Sequence, residues 1–391
     1  MRDGVVHAVR RGLLFAVTVT ATVAAAAVAP VPVSAAPPTK GTVPAAPADP
    51  GAGGAEEAVR IPFGERYHAV QRGGIVRAAN SAVTCRTTGR HTVVTAADAA
   101  ACRAARESPT ASNDRFDMFY TDLDEDPNTY NATRGEVRLP TGATVSYARL
   151  YWGGNLRVGE QKPPRDNGRV LIAEAGGAYK EVLSDTLVGH RTTVGADVYH
   201  ASADITPLVR AAGSGMYTVA QLNVAMGRTA AGAWGGWTMV VAYERPEDPL
   251  RHLVLWDGFE AMDEERREVR AGLGRLAVPP GGAGTLGVVA YDGDPGAGGD
   301  SLTAGTDRGK ARAISDAANP ANDVMNSSIS DLGSNHIKRQ PAYKNTLGYD
   351  SDVFDLREAL APGGDTVNVS FRTGRDSVWL GAFFVAVDAR R

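Results

Sequence analysis

A succession of short runs rich in Val, Thr, Tyr and Trp, each closed by glycine, asparagine or aspartate, governs the chain from residue 117 onward. β-Branched and aromatic residues suit a pleated surface, and glycine supplies the turns between strands. Thr144 to Trp152 alternates imperfectly and stops at Gly153-Gly154-Asn155. Arg169 to Ala173 is a second run, and Tyr217 to Val224 alternates well. Trp237 to Tyr243 and His252 to Trp256 read as strands buried on both faces. Leu286 to Tyr291, Thr366 to Phe371 and Trp379 to Val387 complete the set. The 45 glycines and 22 prolines exceed what a helical bundle tolerates. The expected fold class is all-β: two tandem jelly-roll-like β-sandwiches with few short helices.

The runs recur in the same order. Leu150-Tyr151-Trp152-Gly153-Gly154-Asn155 parallels Val289-Ala290-Tyr291-Asp292-Gly293-Asp294. Residues 205–213 parallel 354–360, each a short helix opened by a capping residue, Thr206 or Asp355. A Thr-Val strand follows each, at Thr218-Val219 and Thr366-Val367. Each half then closes on a tryptophan-led apolar strand, at Trp237 or Trp379. The expected sandwiches occupy residues 113–258 and 259–391.

The N-terminus reads as an export signal over residues 1–35. Arg2, Arg10 and Arg11 precede an uncharged apolar stretch, and Val33-Ser34-Ala35 offers small residues for cleavage. Residues 36–58, rich in Pro, Ala and Gly, form the expected disordered linker. Residues 59–112 form a small N-terminal segment, with Gly73-Gly74-Ile75-Val76 a turn entering a strand. Thr95-Ala96-Ala97-Asp98 is a capping-box pattern that predicts a helix to about Arg106. Cys85 and Cys102 are the two cysteines, and in an exported chain they are expected to pair. With no later apolar segment or hydrophobic tail, release into the extracellular medium is expected, with no stable membrane insertion after cleavage. The formal net charge is -3, and no basic run follows the leader, which leaves no electrostatic footprint for nucleic acid.

Three acidic clusters offer hard oxygen ligands. The fullest joins Asp292, Asp294 and Asp300 through a glycine-rich loop, a composition suited to calcium. The alternative is a polar turn whose aspartates bond their own backbone. Asp122-Leu123-Asp124-Glu125-Asp126 imitates the start of a calcium loop but places Pro127 where a sharp-turn glycine belongs. Asp350 and Asp352 with Asp355 form the third, and Asp355 reads as a helix cap. Catalytic patterns are sparse. No Gly-x-Ser-x-Gly or His-Glu-x-x-His motif occurs, and among the histidines His190 and His200 stand out for their polar surroundings. Trp234, in Ala233-Trp234-Gly235-Gly236, is expected near a loop and available to a ligand, whereas most other aromatics should pack in the core.

Several phrases occur together: Tyr147-Ala148-Arg149-Leu150-Tyr151-Trp152-Gly153-Gly154, Gly236-Trp237-Thr238-Met239-Val240-Val241, Trp256-Asp257-Gly258-Phe259, Asn322-Asp323-Val324-Met325-Asn326 and Asn345-Thr346-Leu347-Gly348-Tyr349-Asp350. Over roughly residues 115–385 they resemble an uncharacterised β-rich module of bacterial extracellular and surface proteins, often found ahead of DUF11-type repeat domains. That resemblance implies a β-sandwich fold and transfers no catalytic residue. The expected function is a secreted, non-enzymatic binding or envelope-associated protein, calcium-stabilised at Asp292, whose partner is an extracellular glycan or cell-envelope component. The alternative is a carbohydrate-active protein, either a lectin-like binder or a divergent glycoside hydrolase.

Overall fold

The computed structural model describes residues 55–391 apart from 89–92, 125, 336, 375–376 and 391. The expected signal and most of the expected linker lie outside the described residues. In chain order the first elements are β1 (Glu57–Ala58), β2 (Ile61–Ser81), β3 (Val83–Cys85), the helix α1 (Ala96–Glu107) and β4 (Met118–Tyr120). Next come β5 (Ala132–Val137), β6 (Thr144–Asn155), β7 (Arg169–Ala173), β8 (Lys180–Leu183), β9 (Val188–Thr192) and β10 (Asp197–Asp204). The helix α2 (Thr206–Ala212) leads to β11 (Gly215–Ala220) and β12 (Gly235–Glu244). The chain continues through β13 (Leu250–Met262), β14 (Glu268–Val278), β15 (Gly284–Tyr291), β16 (Ser301–Thr306), β17 (Arg312–Ile314), β18 (Ile329–Asp331), β19 (Arg339–Gln340) and β20 (Tyr349–Asp355). It ends with α3 (Arg357–Leu360), β21 (Gly364–Arg372) and β22 (Val378–Asp388). The all-β expectation holds.

One sheet of 11 strands runs through the whole molecule in the order β1-β9-β10-β6-β12-β2-β13-β22-β15-β20-β18. A 5-stranded sheet (β19-β5-β11-β7-β8) covers its first half, and a 4-stranded sheet (β14-β21-β16-β17) covers its second. The order contains the repeat read from the sequence. On one side of β2 and β13 stands the triplet β10-β6-β12, and on the other its counterpart β20-β15-β22. Each triplet connects through a short helix, α2 or α3, to a strand of its covering sheet. The capping detail differs from expectation in the first copy. Asp204, not Thr206, accepts the Thr206 amide at 2.8 Å, just as Asp355 accepts the Arg357 amide at 2.7 Å.

The segment 59–112 is not a separate small unit. Its strand β2 is the centre of the large sheet. Residues 73–81 pair with β12 and residues 61–72 pair with β13. The expected turn at Gly73-Gly74 is therefore the point inside one strand where the partner changes. Gly73 takes a φ of 154°, and a Cβ there would stand 1.9 Å from the Tyr243 carbonyl oxygen. Only glycine fits such an approach of two backbones. The sandwiches are also interlaced at β19, a strand from the second half that pairs with β5 of the first.

Alternation explains the imperfect strand patterns. Ala148, Leu150 and Trp152 of β6 face the first sandwich core with Trp237, Met239 and Val241 of β12. Tyr151 of β6 and Val240 of β12 face the other way, into a third core shared with Phe259, Tyr291, Tyr349, Trp379 and Phe384. Strands buried on both faces lose the apolar–polar alternation that marks a half-exposed strand. The expected strand over 217–224 ends at Ala220, because Gln221 turns to a φ of 59°. The capping box forms as expected, with Thr95 accepting the Asp98 amide at 3.1 Å. Cys85 of β3 and Cys102 of α1 are joined by a disulfide across a separation of 17 residues, a constraint that stabilises by about 3 kcal/mol in the chain-entropy model.

Replacing Gly73 with alanine should destabilise the protein by about 2 kcal/mol or more, because the clash is with rigid backbone. Urea unfolding followed by tryptophan fluorescence checks this. Alanine at the neighbouring open position Gly64, where no atom lies within 4 Å of the added Cβ, should change the midpoint far less.

Candidate functional site

A cavity of about 270 Å³ opens where the two halves meet. His200, Ala201 and Ser202 of β10 form one wall, Asp257 and Gly258 of β13 a second, and Ile61 and Arg66 of β2 a third. Thr186 and Leu187, on the loop before β9, lie at its exposed rim. The first half of the chain thus supplies the imidazole and hydroxyl groups, and the central strands supply the charges.

Asp257 is almost fully buried and saturated with donors. Arg66 grips it through Nε at 2.9 Å and Nη2 at 3.0 Å, and the Tyr151 hydroxyl donates at 3.2 Å. Arg149 approaches the same carboxylate to 3.5 Å. The Arg149 guanidinium is itself buried. It donates to Ser202 Oγ at 2.9 Å and 3.1 Å and to the half-exposed Asp185 at 2.5 Å. A bidentate arginine fixes a carboxylate in both position and orientation. The network therefore holds Asp257 in place rather than leaving it free to react.

His200 is the other polar group of the wall. Its Nδ1 lies 2.8 Å from the Tyr291 hydroxyl, and its ring is sandwiched parallel to Tyr151 and Phe259. Burial pushes its pKa down to about 4, so the imidazole is neutral at neutral pH. Its Nε2 has no hydrogen-bond partner. A Cβ at Gly381 would meet the imidazole at 2.5 Å, so the glycine of the closing strand β22 makes room for the ring.

His190 has a different role. Nδ1 contacts Glu57 and Nε2 contacts Asp197, both at 2.7 Å, which ties β1 to β9 and β10. Burial alone would lower its pKa, but hydrogen bonds to the two carboxylates outweigh it and raise the value. A raised histidine pKa stabilises the fold below its unfolded value and loses that contribution as pH rises through the folded value.

The other sequence candidates are placed as follows. Trp234 is fully buried, with 0% exposure. Its Nε1 donates to the Ala231 carbonyl, and its ring packs toward Tyr291 in the core between the halves. The expectation of an available ring is corrected: the glycines after it belong to β12, which carries Trp234 into the seam. The Asp122–Asp126 cluster folds as a turn, in which Asp124 accepts the Asp126 amide and Asp126 accepts the Asn128 amide. Asp292 begins a left-handed turn with a φ of 64° after β15. Asp294 is partly buried, and Asp300 is fully buried against Thr373, whose hydroxyl donates to it at 2.8 Å. Among the described residues, no group of three or more His, Cys, Asp or Glu side chains is placed to hold a metal ion. The pocket residues Arg66, Ser202 and Asp257 were not singled out from sequence. Only the phrase Trp256-Asp257-Gly258-Phe259 had marked one of them.

Asp257→Ala should destabilise by about 3 kcal/mol, because it takes the shared acceptor from Arg66 and from the buried Tyr151 hydroxyl and leaves Arg149 with Asp185 alone. Arg66→Ala should cost no more than about 1 kcal/mol, since the arginine is one-third exposed and its loss leaves Arg149 to balance Asp257. Chemical denaturation of the two variants checks the order. Equal losses would contradict this account of the network.

No family model matches the chain, and no curated protein matches it. Among solved structures, the major capsid protein P2 from Bacteriophage PM2 is similar at 11% identity and a TM-score of 0.19, covering 68% of this chain and 94% of that one. PNGase F, a glycosylasparaginase from Flavobacterium meningosepticum, gives 10% identity and a TM-score of 0.22, covering 69% and 95%. The STIV MCP gives 10% identity and a TM-score of 0.16, covering 65% and 91%.

Proposed function

We propose that this chain is a secreted, non-enzymatic binding protein that holds one ring of an extracellular or cell-envelope glycan in the cavity between its halves. The observation that carries the reading is the make-up of that cavity. A volume of about 270 Å³ sits just below the range of drug-sized pockets, which suits a single sugar ring. Thr186 and Ser202 offer hydroxyls, His200 offers a neutral imidazole, and Ile61 and Leu187 offer apolar contact. The charges of Arg66 and Asp257 compensate each other. Such a lining favours a neutral, hydroxyl-bearing ligand over an ionic one.

The same lining argues against hydrolysis. Glycoside cleavage uses two carboxyl groups flanking the bond. Asp257 is the one acid among the described lining residues, and arginine and tyrosine donors occupy both its oxygens. His200, with its pKa near 4, is a weak base at neutral pH. Export rests on the N-terminal sequence, and the Cys85–Cys102 disulfide suits an oxidising compartment. No helix of the described residues is long and apolar enough to cross a membrane.

A glycan array probed with the chain from residue 36, followed by calorimetry on any hit, tests the reading. Binding should weaken at least tenfold in Thr186→Phe, which fills the cavity mouth and removes from the network only the 3.4 Å contact of Thr186 Oγ1 with Ser202 Oγ. No hit, or a hit whose affinity ignores that variant, would sink the cavity as the binding site. Release of reducing ends from a bound glycan would instead establish the hydrolase alternative.

A further inference from the structure

The pairing of β2 with β13 joins the two halves, and it carries two imidazoles in direct contact. His68 of β2 and His252 of β13 are diagonal neighbours, opposite Val254 and Val70 respectively. Nε2 of His68 lies 3.0 Å from Nδ1 of His252. His252 is 6% exposed and the His68 side chain 15%. On its far side, Nδ1 of His68 lies 3.2 Å from Glu65 Oε2. Arg275 of β14 donates to the same Glu65 carboxylate at 2.9 Å and 3.1 Å. His252 is flanked by apolar residues, Val70 on β2 and Val387 on β22. Its strand neighbour Arg251 is paired with Asp388 of β22 at 3.3 Å.

A contact of 3.0 Å between ring nitrogens is a hydrogen bond, and it needs one proton between the rings. With both rings neutral the chain of contacts closes. His68 donates through Nδ1 to Glu65, and His252 donates through Nδ1 to His68 Nε2. One added proton is accommodated at His68, which then donates through both nitrogens, to Glu65 and to His252. A second added proton puts N–H groups on both facing nitrogens. The bond becomes a contact between two donors of like charge. Burial, and then the charge of His68, push the His252 pKa from the usual 6.5 down to about 4.

We propose that this pair is an acid-sensitive latch on the join between the halves: it holds with one added proton or none, and opens with two. The unfolded chain takes both protons freely. The folded pKa of His252 lies below the unfolded one, so its contribution to stability is complete above about 6.5 and is lost as pH falls toward 4. His200, also near 4, acts in the same direction. His190, with its raised pKa, and Asp300, pushed up to about 6, act in the opposite one. The latch is therefore visible as a difference between variants. A loosened join reaches the cavity, because the same two strands carry Arg66 and Asp257.

Urea unfolding of the chain and of His252→Asn, each at pH 7 and pH 4.5, tests this. Asparagine offers an amide in place of the imidazole and does not titrate. Between the two pH values, the unfolding constant of the unaltered chain should rise at least tenfold more than that of the variant. Histidine ring resonances of the unaltered chain give an independent reading should the variant fail to fold. At pH 5 the His252 ring should still be neutral. In His68→Asn, which removes the neighbouring charge, His252 should take its proton at a higher pH. Parallel pH dependence of the unaltered chain and His252→Asn, or a His252 ring already charged at pH 5.5, would overturn the latch.

Discussion

The pairing of a single strand, β2, with both halves of the molecule is the constraint on which the rest depends. Its C-terminal part completes the triplet of the first sandwich, and its N-terminal part begins the second through β13. Two sandwiches joined only by a linker would be free to move. Two that share a hydrogen-bonded strand at their centre must keep one relative orientation. That orientation brings Tyr151, Phe259, Tyr291, Tyr349 and Trp379 into a common core, where large aromatic surfaces contribute much of the packing energy. Thr238 of β12 bonds the Tyr349 and Ser351 hydroxyls of β20 at 2.7 Å and 2.9 Å, fixing the register of one half on the other.

The cavity follows from that geometry. His200 reaches it from the first half, Arg66 and Asp257 from the central strands, and Gly381 of the second half clears space for the imidazole. A recess built from both halves keeps its shape only while the seam is closed. Ligand bound there would strengthen the seam, because it adds contacts to each side that neither side makes alone.

Much of this architecture was legible in the sequence. The strand runs, the turn glycines, the capping box at Thr95 and the cysteine pair each act locally, so each left a local signature. The repeat was legible because Tyr151-Trp152-Gly153-Gly154 and Tyr291-Asp292-Gly293 end equivalent strands, β6 and β15. The role of β2 was hidden. Ile61 to Ser81 carries Glu65, Arg66, His68, Gln71, Arg72 and Arg77, and reads as polar because much of its outer half is partly exposed. Gly73-Gly74 resembles any turn until the opposing carbonyl of Tyr243 is known. Trp234 was misread for a related reason: flanking glycines signal a loop, but here they let β12 pass close to β6 and to Tyr349. The cavity residues come from strands far apart in sequence, and no spacing rule connects Arg66, His200 and Asp257.

The two buried polar clusters show how a β-sandwich distributes charge. At the seam, Asp257 lies among two guanidinium groups and a hydroxyl, and the charges nearly cancel within the fold. Beside β20, the carboxylates of Asp300, Asp323, Asp350 and Asp352 have few counter-charges. The charge of Arg77 favours the Asp352 carboxylate, yet Arg77 donates to the Ser330 carbonyl and leaves Nε and Nη1 bare. Burying charge without compensation is unfavourable by several kcal/mol per ion. Asp257 is thus compensated by cations of its own chain, whereas Asp300 and Asp350 each keep one oxygen with donors and one without. The first cluster is then a structural support for the cavity, and the second, with its carboxyl pKa values raised by burial, favours the fold on the acid side and loses that contribution as pH rises.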